Sequence, residues 1–127
     1  MANTAPVRPT LVLVDDDAAV GDSLKFALEF DGFEVRTYDS AEAMLAEALP
    51  AGPVCLVIDL NLPAMDGLQL LRLVREQHGG IPVVFITTHP TQRLRQQVAA
   101  LDAPIVEKPL LSDGLVDTVR RVMAASA

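Results

Sequence analysis

Residues 54–59 read VCLVID and are followed at 60–67 by LNLPAMDG. The first five are apolar with no polar alternation, and three of them are Val or Ile. Such a run is typical of a strand covered on both faces, as the inner strands of a parallel sheet are. Asp59 ends the run, and a loop containing Pro and Gly follows it. This arrangement places the Asp59 carboxylate at the carboxyl edge of the sheet, where open α/β proteins bind their ligands.

The composition indicates one folded domain. The chain has 127 residues, of which 50% are hydrophobic and 21% are charged. This is enough apolar material to bury one continuous core. The net charge of -7 argues against nonspecific binding to nucleic acid or anionic lipid and favours the binding of cations. We expect a flexible segment over residues 1–9 and one domain over residues 10–127.

The sequence contains one cysteine, Cys55, which lies inside the apolar strand. A buried structural thiol is therefore the expected role, and no intrachain disulfide can form. The sequence has neither a signal-peptide core nor an apolar run of membrane-spanning length. We predict a cytoplasmic protein that does not contact membranes.

Strand-like and helix-like segments alternate along the chain. The strands are predicted at 10–14, 33–38, 54–59, 81–86 and 103–107, and the helices at 18–31, 40–49, 66–77, 90–101 and from 112 or 113 to 123. Ser40 and Asp66 are predicted helix N-caps. Strict alternation of this kind predicts an α/β fold with a parallel sheet, helices on both faces and right-handed crossovers.

Polar side chains follow the predicted strands at the points where they end. They are Asp15 and Asp16, Asp59, Thr87 with Thr88 beside it, and Lys108. Because the carboxyl ends of parallel strands share one edge, we expect these side chains to converge. Three neighbouring carboxylates repel one another, and a divalent cation relieves this repulsion at neutral pH. Carboxylate oxygens together with a backbone carbonyl of the following loop suit Mg²⁺ better than zinc.

Such a site is suited to phosphoryl transfer. A carboxylate such as Asp59 can attack phosphorus, while Mg²⁺ and the ammonium group of Lys108 neutralise the phosphoryl oxygens. The hydroxyl of Thr87 could then donate a hydrogen bond to a phosphoryl oxygen, so that its position would depend on phosphorylation. A binding site would thereby become a switch.

Four blocks of residues resemble the receiver domain of two-component response regulators. They are residues 14–17 (VDDD), Asp59 with 61–63 (NLP) and 66–67 (DG), residues 86–87 (IT), and residues 107–109 (EKP). Their order and separations match the family over roughly residues 10–123, and four spaced blocks are specific where one would be weak. The resemblance implies a three-layer, doubly wound, flavodoxin-like sheet of five strands in the order 2-1-3-4-5, with five helices.

The resemblance also implies roles for individual residues. Asp59 would be the phosphoacceptor, Asp15 and Asp16 would be metal-site acids, and Asn61 would offer its main-chain carbonyl to Mg²⁺. Thr87 would be the switch hydroxyl, with Thr88 next to it, and Lys108 would bind the phosphate. In this family the peptide bond equivalent to Lys108-Pro109 tends to be cis.

The expected partners are a sensor histidine kinase and a downstream protein target or output domain. We expect no direct contact with nucleic acid, and either a monomer or a phosphorylation-dependent dimer. Self-catalysed phosphorylation and slow hydrolysis would not make the chain an enzyme for an external substrate. Residues 40–43 (SAEA) and 32–33 (GF) are similar to receivers of nodulation and nitrogen-fixation regulators.

The sequence departs from the family pattern on the output side. Ile105 stands three residues before the lysine, where receivers usually carry a Tyr or Phe that moves together with the threonine. Leu110 replaces the usual aromatic residue after Lys-Pro, and residues 101–104 (LDAP) replace the common Ala-Gly pair. A receiver-like interaction domain whose output does not depend on phosphorylation, or is otherwise atypical, is therefore the main alternative.

Other interpretations compete with this one. Residues 15–17 could simply cap a helix, and Asp59 could cap a turn. A hydrolase of the haloacid-dehalogenase type also uses a nucleophilic Asp, but it needs a second acid where this chain has Asn61. A flavin- or nucleotide-binding fold would need a Gly- or Ser/Thr-rich loop in place of the three acids. His89 is expected to be solvated rather than to act in dephosphorylation.

Overall fold

The computed structural model describes residues 8–108 and 112–126. Five strands and five helices alternate along these residues, as predicted. The strands are β1 (Thr10–Val14), β2 (Glu34–Tyr38), β3 (Val54–Asp59), β4 (Val83–Thr87) and β5 (Ile105–Glu107), and the helices are α1 (Ala18–Phe30), α2 (Ala41–Leu45), α3 (Gly67–His78), α4 (Gln92–Ala99) and α5 (Ser112–Ser126). Most of the predicted flexible segment, and Pro109 with the predicted cis peptide bond, lie outside the described residues, as does Leu110.

The strands form one parallel sheet in the order β2-β1-β3-β4-β5, which confirms the predicted fold. β3 lies at the centre of the sheet, where its apolar residues are covered on both sides. Leu56 and Ile58 belong to the core on one face, and Cys55 and Val57 to the core on the other. Residues of α2, α3 and α4 pack in the first core and residues of α1 and α5 in the second, which makes three layers.

Polar side chains cap the starts of α2, α3 and α4, and two of these caps, Ser40 and Asp66, were predicted. The Ser40 hydroxyl accepts a hydrogen bond from the Ala43 N–H at the start of α2. Asp66 and Gln69 form a capping box at the start of α3, in which each side chain bonds the backbone N–H of the other residue. Thr91 caps α4 through the N–H of Leu94, so α4 begins at Gln92 and not at Pro90.

Several predicted boundaries were wrong. Helix α2 ends at Leu45 and not near Leu49, because the Glu47 N–H bonds back only three residues, to Met44, and the Glu47 carboxylate accepts a hydrogen bond from the Tyr38 hydroxyl at 2.5 Å.

The strands also start later than predicted. The Phe33 N–H caps α1 by bonding the Leu28 carbonyl, so β2 begins one residue later. β4 begins at Val83 and not at Ile81, and β5 at Ile105 and not at Ala103. Phe30, the last residue of α1, is 86% exposed.

Candidate functional site

Two buried carboxylates lie side by side at the carboxyl edge of the sheet. Asp15 and Asp59 directly follow Val14 and Ile58, which are paired across the neighbouring strands β1 and β3. Asp15 and Asp59 are each only 4% exposed. Parallel pairing of two apolar strands that both end in an acid therefore brings the two acids together, as predicted.

Lys108 lies between these carboxylates. Its Nζ atom is 2.8 Å from Asp15 Oδ2 and 2.9 Å from Asp59 Oδ2. Its main-chain N–H donates to the carbonyl of Thr87 at 2.8 Å, which holds the residue after β5 against the end of β4. Partial burial of Lys108 lowers the pKa of its ammonium group, but hydrogen bonds and charge attraction from Asp15 and Asp59 outweigh that effect, so the net pKa is raised.

The acids of this site fit a magnesium ion. Asp15, Asp16 and Asp59 each offer a carboxylate oxygen, and these oxygens lie within 4.8 Å of one another. Asp15 Oδ2 is buried, and the Lys108 ammonium contacts it at 2.8 Å. Three carboxylate oxygens gathered in this way are the kind of ligands that a hard cation such as Mg²⁺ prefers. Asp16 is exposed, so one side of the group is open to solvent.

Asp17 follows Asp15 and Asp16 directly but has a different role from theirs. Asp17 is the N-cap of α1, where its Oδ1 atom accepts hydrogen bonds from the N–H groups of Ala19 and Val20. Asp15 Oδ1 accepts the N–H of Asp17 at 2.9 Å, which fixes the direction of the Asp15 carboxylate. Of residues 15–17, which could have served as a helix cap, only Asp17 does so.

Asn61 and Thr87 complete the group next to Asp59. The Asn61 N–H donates to Asp59 Oδ1 at 2.8 Å, and the Asn61 side-chain Nδ2 donates to Thr87 Oγ1 at 3.1 Å. Thr87 ends β4 and is fully buried. The side-chain contact of Asn61 was not predicted, because the family resemblance implied a role only for its main-chain carbonyl. Thr88 and His89 are exposed beyond the end of β4.

The sequence also missed Gly67 at the start of α3. A Cβ atom at this position would lie 2.8 Å from the carbonyl oxygen of Asp59. Helix α3 therefore approaches the end of β3 so closely that only a glycine fits. The Asp-Gly pair at 66–67 was noticed as a motif, but its steric reason needed the tertiary structure.

The sequence profile described as "Response regulator receiver domain" matches residues 11–120, which is most of the chain. The chain belongs to the response regulator receiver family. As a receiver it is 37% identical over 107 residues to the transcriptional regulatory protein FixJ of Bradyrhizobium diazoefficiens, covering 83% of this chain and 52% of FixJ. It is 35% identical to the C4-dicarboxylate transport transcriptional regulatory protein DctD of Pseudomonas aeruginosa, covering 89% of this chain and 25% of DctD. The receiver thus spans about half or less of these relatives.

Solved structures agree with this assignment. The receiver superimposes on the crystal structure of FixJ-N with a TM-score of 0.83 and 32% identity, covering 94% of this chain and 96% of the other. It matches the chemotaxis protein CheY4 of Vibrio cholerae with a TM-score of 0.83 and 27% identity, covering 91% and 99% of the two chains.

The surface around β5 contains the predicted departure from the family pattern at Ile105. Ile105 pairs with Phe85 of β4 and is half-buried against the core that α2, α3 and α4 cover. Arg95 of α4 forms an ion pair with Glu107 of β5 on the exposed surface. Among the described residues, no helix combines the length and apolar character that crossing a bilayer requires.

Proposed function

We propose that Asp59 accepts a phosphoryl group from the phosphohistidine of a sensor histidine kinase and that phosphorylation switches a protein-interaction surface. The observation that carries this proposal is the position of Lys108 Nζ, 2.9 Å from Asp59 Oδ2 and 2.8 Å from Asp15 Oδ2. A nucleophilic carboxylate, a cation for the phosphoryl oxygens and two further acids for a metal therefore meet in one place.

In the proposed transfer an Asp59 carboxylate oxygen attacks phosphorus. The new P–O bond forms as the P–N bond breaks, and the imidazole leaves with the electron pair. Lys108 neutralises charge on the phosphoryl oxygens, and the Asn61 N–H holds Asp59 Oδ1 so that the carboxylate keeps its orientation. Bound Mg²⁺ would supply charge neutralisation and orientation of the phosphoryl group. Asp15, Asp16, Asp59 and the main-chain carbonyl of Asn61 are the groups that would hold it.

The switch is proposed to run through Thr87. Its hydroxyl lies on the strand next to Asp59 and would donate a hydrogen bond to a phosphoryl oxygen, which would change its side-chain position. The movement of Thr87 would then change the conformation of the surface formed by α4, β5 and α5. The partners would be the kinase and a protein target or output domain, in the cytoplasm and without direct contact to nucleic acid. The chain would catalyse only its own phosphorylation and slow dephosphorylation.

The test is incubation with Mg²⁺ and acetyl phosphate, followed by intact-mass measurement. We expect wild type to gain one phosphoryl mass and Asp59→Asn to gain none. EDTA should abolish the gain, and Asp16→Asn should raise the Mg²⁺ concentration that it requires. A phosphoryl mass that persists in Asp59→Asn would place the acceptor elsewhere.

A second candidate function rests on Ile105. Because the usual switch aromatic is absent from this position, the interaction surface could work without phosphorylation. Failure of wild type to take up phosphate under these conditions, with the fold intact, would favour this candidate. Uptake of phosphate without any amide shifts in α4, β5 or α5 would favour an atypical output.

A further inference from the structure

The side chain of Asn61 connects two groups that the proposed function treats separately. Its Nδ2 atom donates to Thr87 Oγ1 at 3.1 Å, across 26 positions in the sequence. Its main-chain N–H donates to Asp59 Oδ1 at 2.8 Å. One residue therefore contacts both the proposed phosphoacceptor and the proposed switch hydroxyl.

Backbone hydrogen bonds hold the end of β4 in place, so only the side chain of Thr87 is free to move. The Leu60 N–H bonds the Ile86 carbonyl at 3.0 Å, and the Lys108 N–H bonds the Thr87 carbonyl at 2.8 Å. β4 is thus held on both sides up to its last residue. Thr87 is 0% exposed, so a change at this residue is a change of χ1 among its three staggered positions.

The hydrogen bond from Asn61 selects one of these positions. A threonine hydroxyl carries one hydrogen and two acceptor lone pairs, and Asn61 occupies one lone pair from a fixed direction. Rotation of Thr87 away from Asn61 breaks this bond inside a buried site, where water cannot replace it at Oγ1. The Asn61 amide lies on an exposed residue and can bind water after the break, so the barrier to switching is limited.

We propose that the Asn61 carboxamide is a positioning residue that holds the Thr87 hydroxyl in its resting orientation, so that switching has to break this hydrogen bond. The proposal deepens the proposed function and rests on it for its biological meaning. Phosphorylation of Asp59 would modify the carboxylate that accepts the Asn61 N–H. It would also give the Thr87 hydroxyl a phosphoryl oxygen as a new hydrogen-bond partner. The two contacts of Asn61 would thus act together.

The test measures the χ1 populations of Thr87 by three-bond scalar couplings to its methyl group in isotope-labelled protein. In the unphosphorylated wild type we expect one dominant rotamer. A typical net hydrogen-bond contribution corresponds to about fivefold in a population ratio. Asn61→Ala should therefore raise the ratio of the other rotamers to the dominant one by about fivefold. With Mg²⁺ and acetyl phosphate, the variant should also show a higher ratio of switched to resting Thr87 than wild type.

Two further variants sharpen the test. Asn61→Leu keeps a side chain that branches at Cγ and removes the donor, so it should raise the same ratio as Asn61→Ala. It keeps the test available if Asn61→Ala does not fold. Gln96→Ala removes an exposed carboxamide on α4 and should leave the Thr87 rotamers unchanged.

Unchanged rotamer populations in both Asn61 variants would overturn the proposal. A lower switched ratio after phosphorylation would overturn it as well, because Asn61 would then orient the hydroxyl toward the phosphoryl group. The rotamer measurement in the unphosphorylated protein needs no phosphate uptake. Its failure is therefore distinct from failure of Asp59 to accept a phosphoryl group.

Discussion

Substitution of Gly67 by alanine should disturb both the fold and the site. The added Cβ would lie 2.8 Å from the Asp59 carbonyl oxygen, 3.0 Å from Ile58 Cγ2 and 3.2 Å from Leu60 Cα. Two of these three atoms belong to the backbone of β3 and the residue after it, and they cannot rotate away. Ordinary contact begins near 3.4 Å, so the start of α3 and the end of β3 must separate by several tenths of an ångström.

The magnitude follows from two opposing terms. Overpacking of a tight contact typically costs about 1–3 kcal/mol. Alanine is favoured over glycine in a helix by up to about 1 kcal/mol, and this offsets part of the cost. We therefore expect Gly67→Ala to lower the free energy of unfolding by about 1–2 kcal/mol. For a domain of this size each kcal/mol corresponds to roughly 3–6 °C in Tm.

Gly21 provides the matched control. It lies in the first turns of α1 and faces a cavity of about 380 Å³, and a Cβ there would meet nothing within 4 Å. Gly21→Ala should therefore stabilise the protein by about 0.5–1 kcal/mol through helix propensity alone. Both variants are compared with wild type by urea and thermal unfolding followed by circular dichroism. A Gly67→Ala protein as stable as the Gly21→Ala protein would refute the close approach of α3 to Asp59.

Two further predictions concern Lys108 and Cys55. Lys108→Met leaves the buried Asp15 and Asp59 carboxylates without the cation between them, so in the absence of Mg²⁺ it should destabilise the protein by about 1–3 kcal/mol near pH 8, measured by urea unfolding. Because the pKa of Lys108 is raised above 10.5 in the folded state, this difference should be constant up to about pH 10 and shrink as pH rises through the folded pKa; equal stabilities at pH 8 would contradict the ion-pair geometry. Cys55 is fully buried and burial raises the pKa of its thiol to about 12, so an aromatic disulfide reagent at pH 8 should leave it unmodified in the folded protein and label it fully in urea. Rapid labelling of the folded protein would mean that β3 is not covered on both faces.

Short stretches of the sequence were sufficient to predict which segments are helices or strands and where some of the helix caps lie. Ser40 and Asp66 cap their helices as predicted, because capping needs only a short polar side chain a few residues from its target. The end of α2 was missed because Glu47 is engaged by Tyr38 of β2, nine positions earlier, and this contact exists only after the strand and helix have packed.

The sequence by itself determined the alternation of strands and helices, the acids at two strand ends and the lysine after the last strand. These follow from periodicity and from the shared edge of parallel strands, which require no knowledge of atomic positions. Only the tertiary structure decided that Lys108 lies within 3 Å of two carboxylates, that Asp17 caps a helix while Asp15 does not, and that the Asn61 side chain bonds Thr87. Such contacts join residues far apart in the chain at distances of a few ångströms, and strand register and helix approach set those distances.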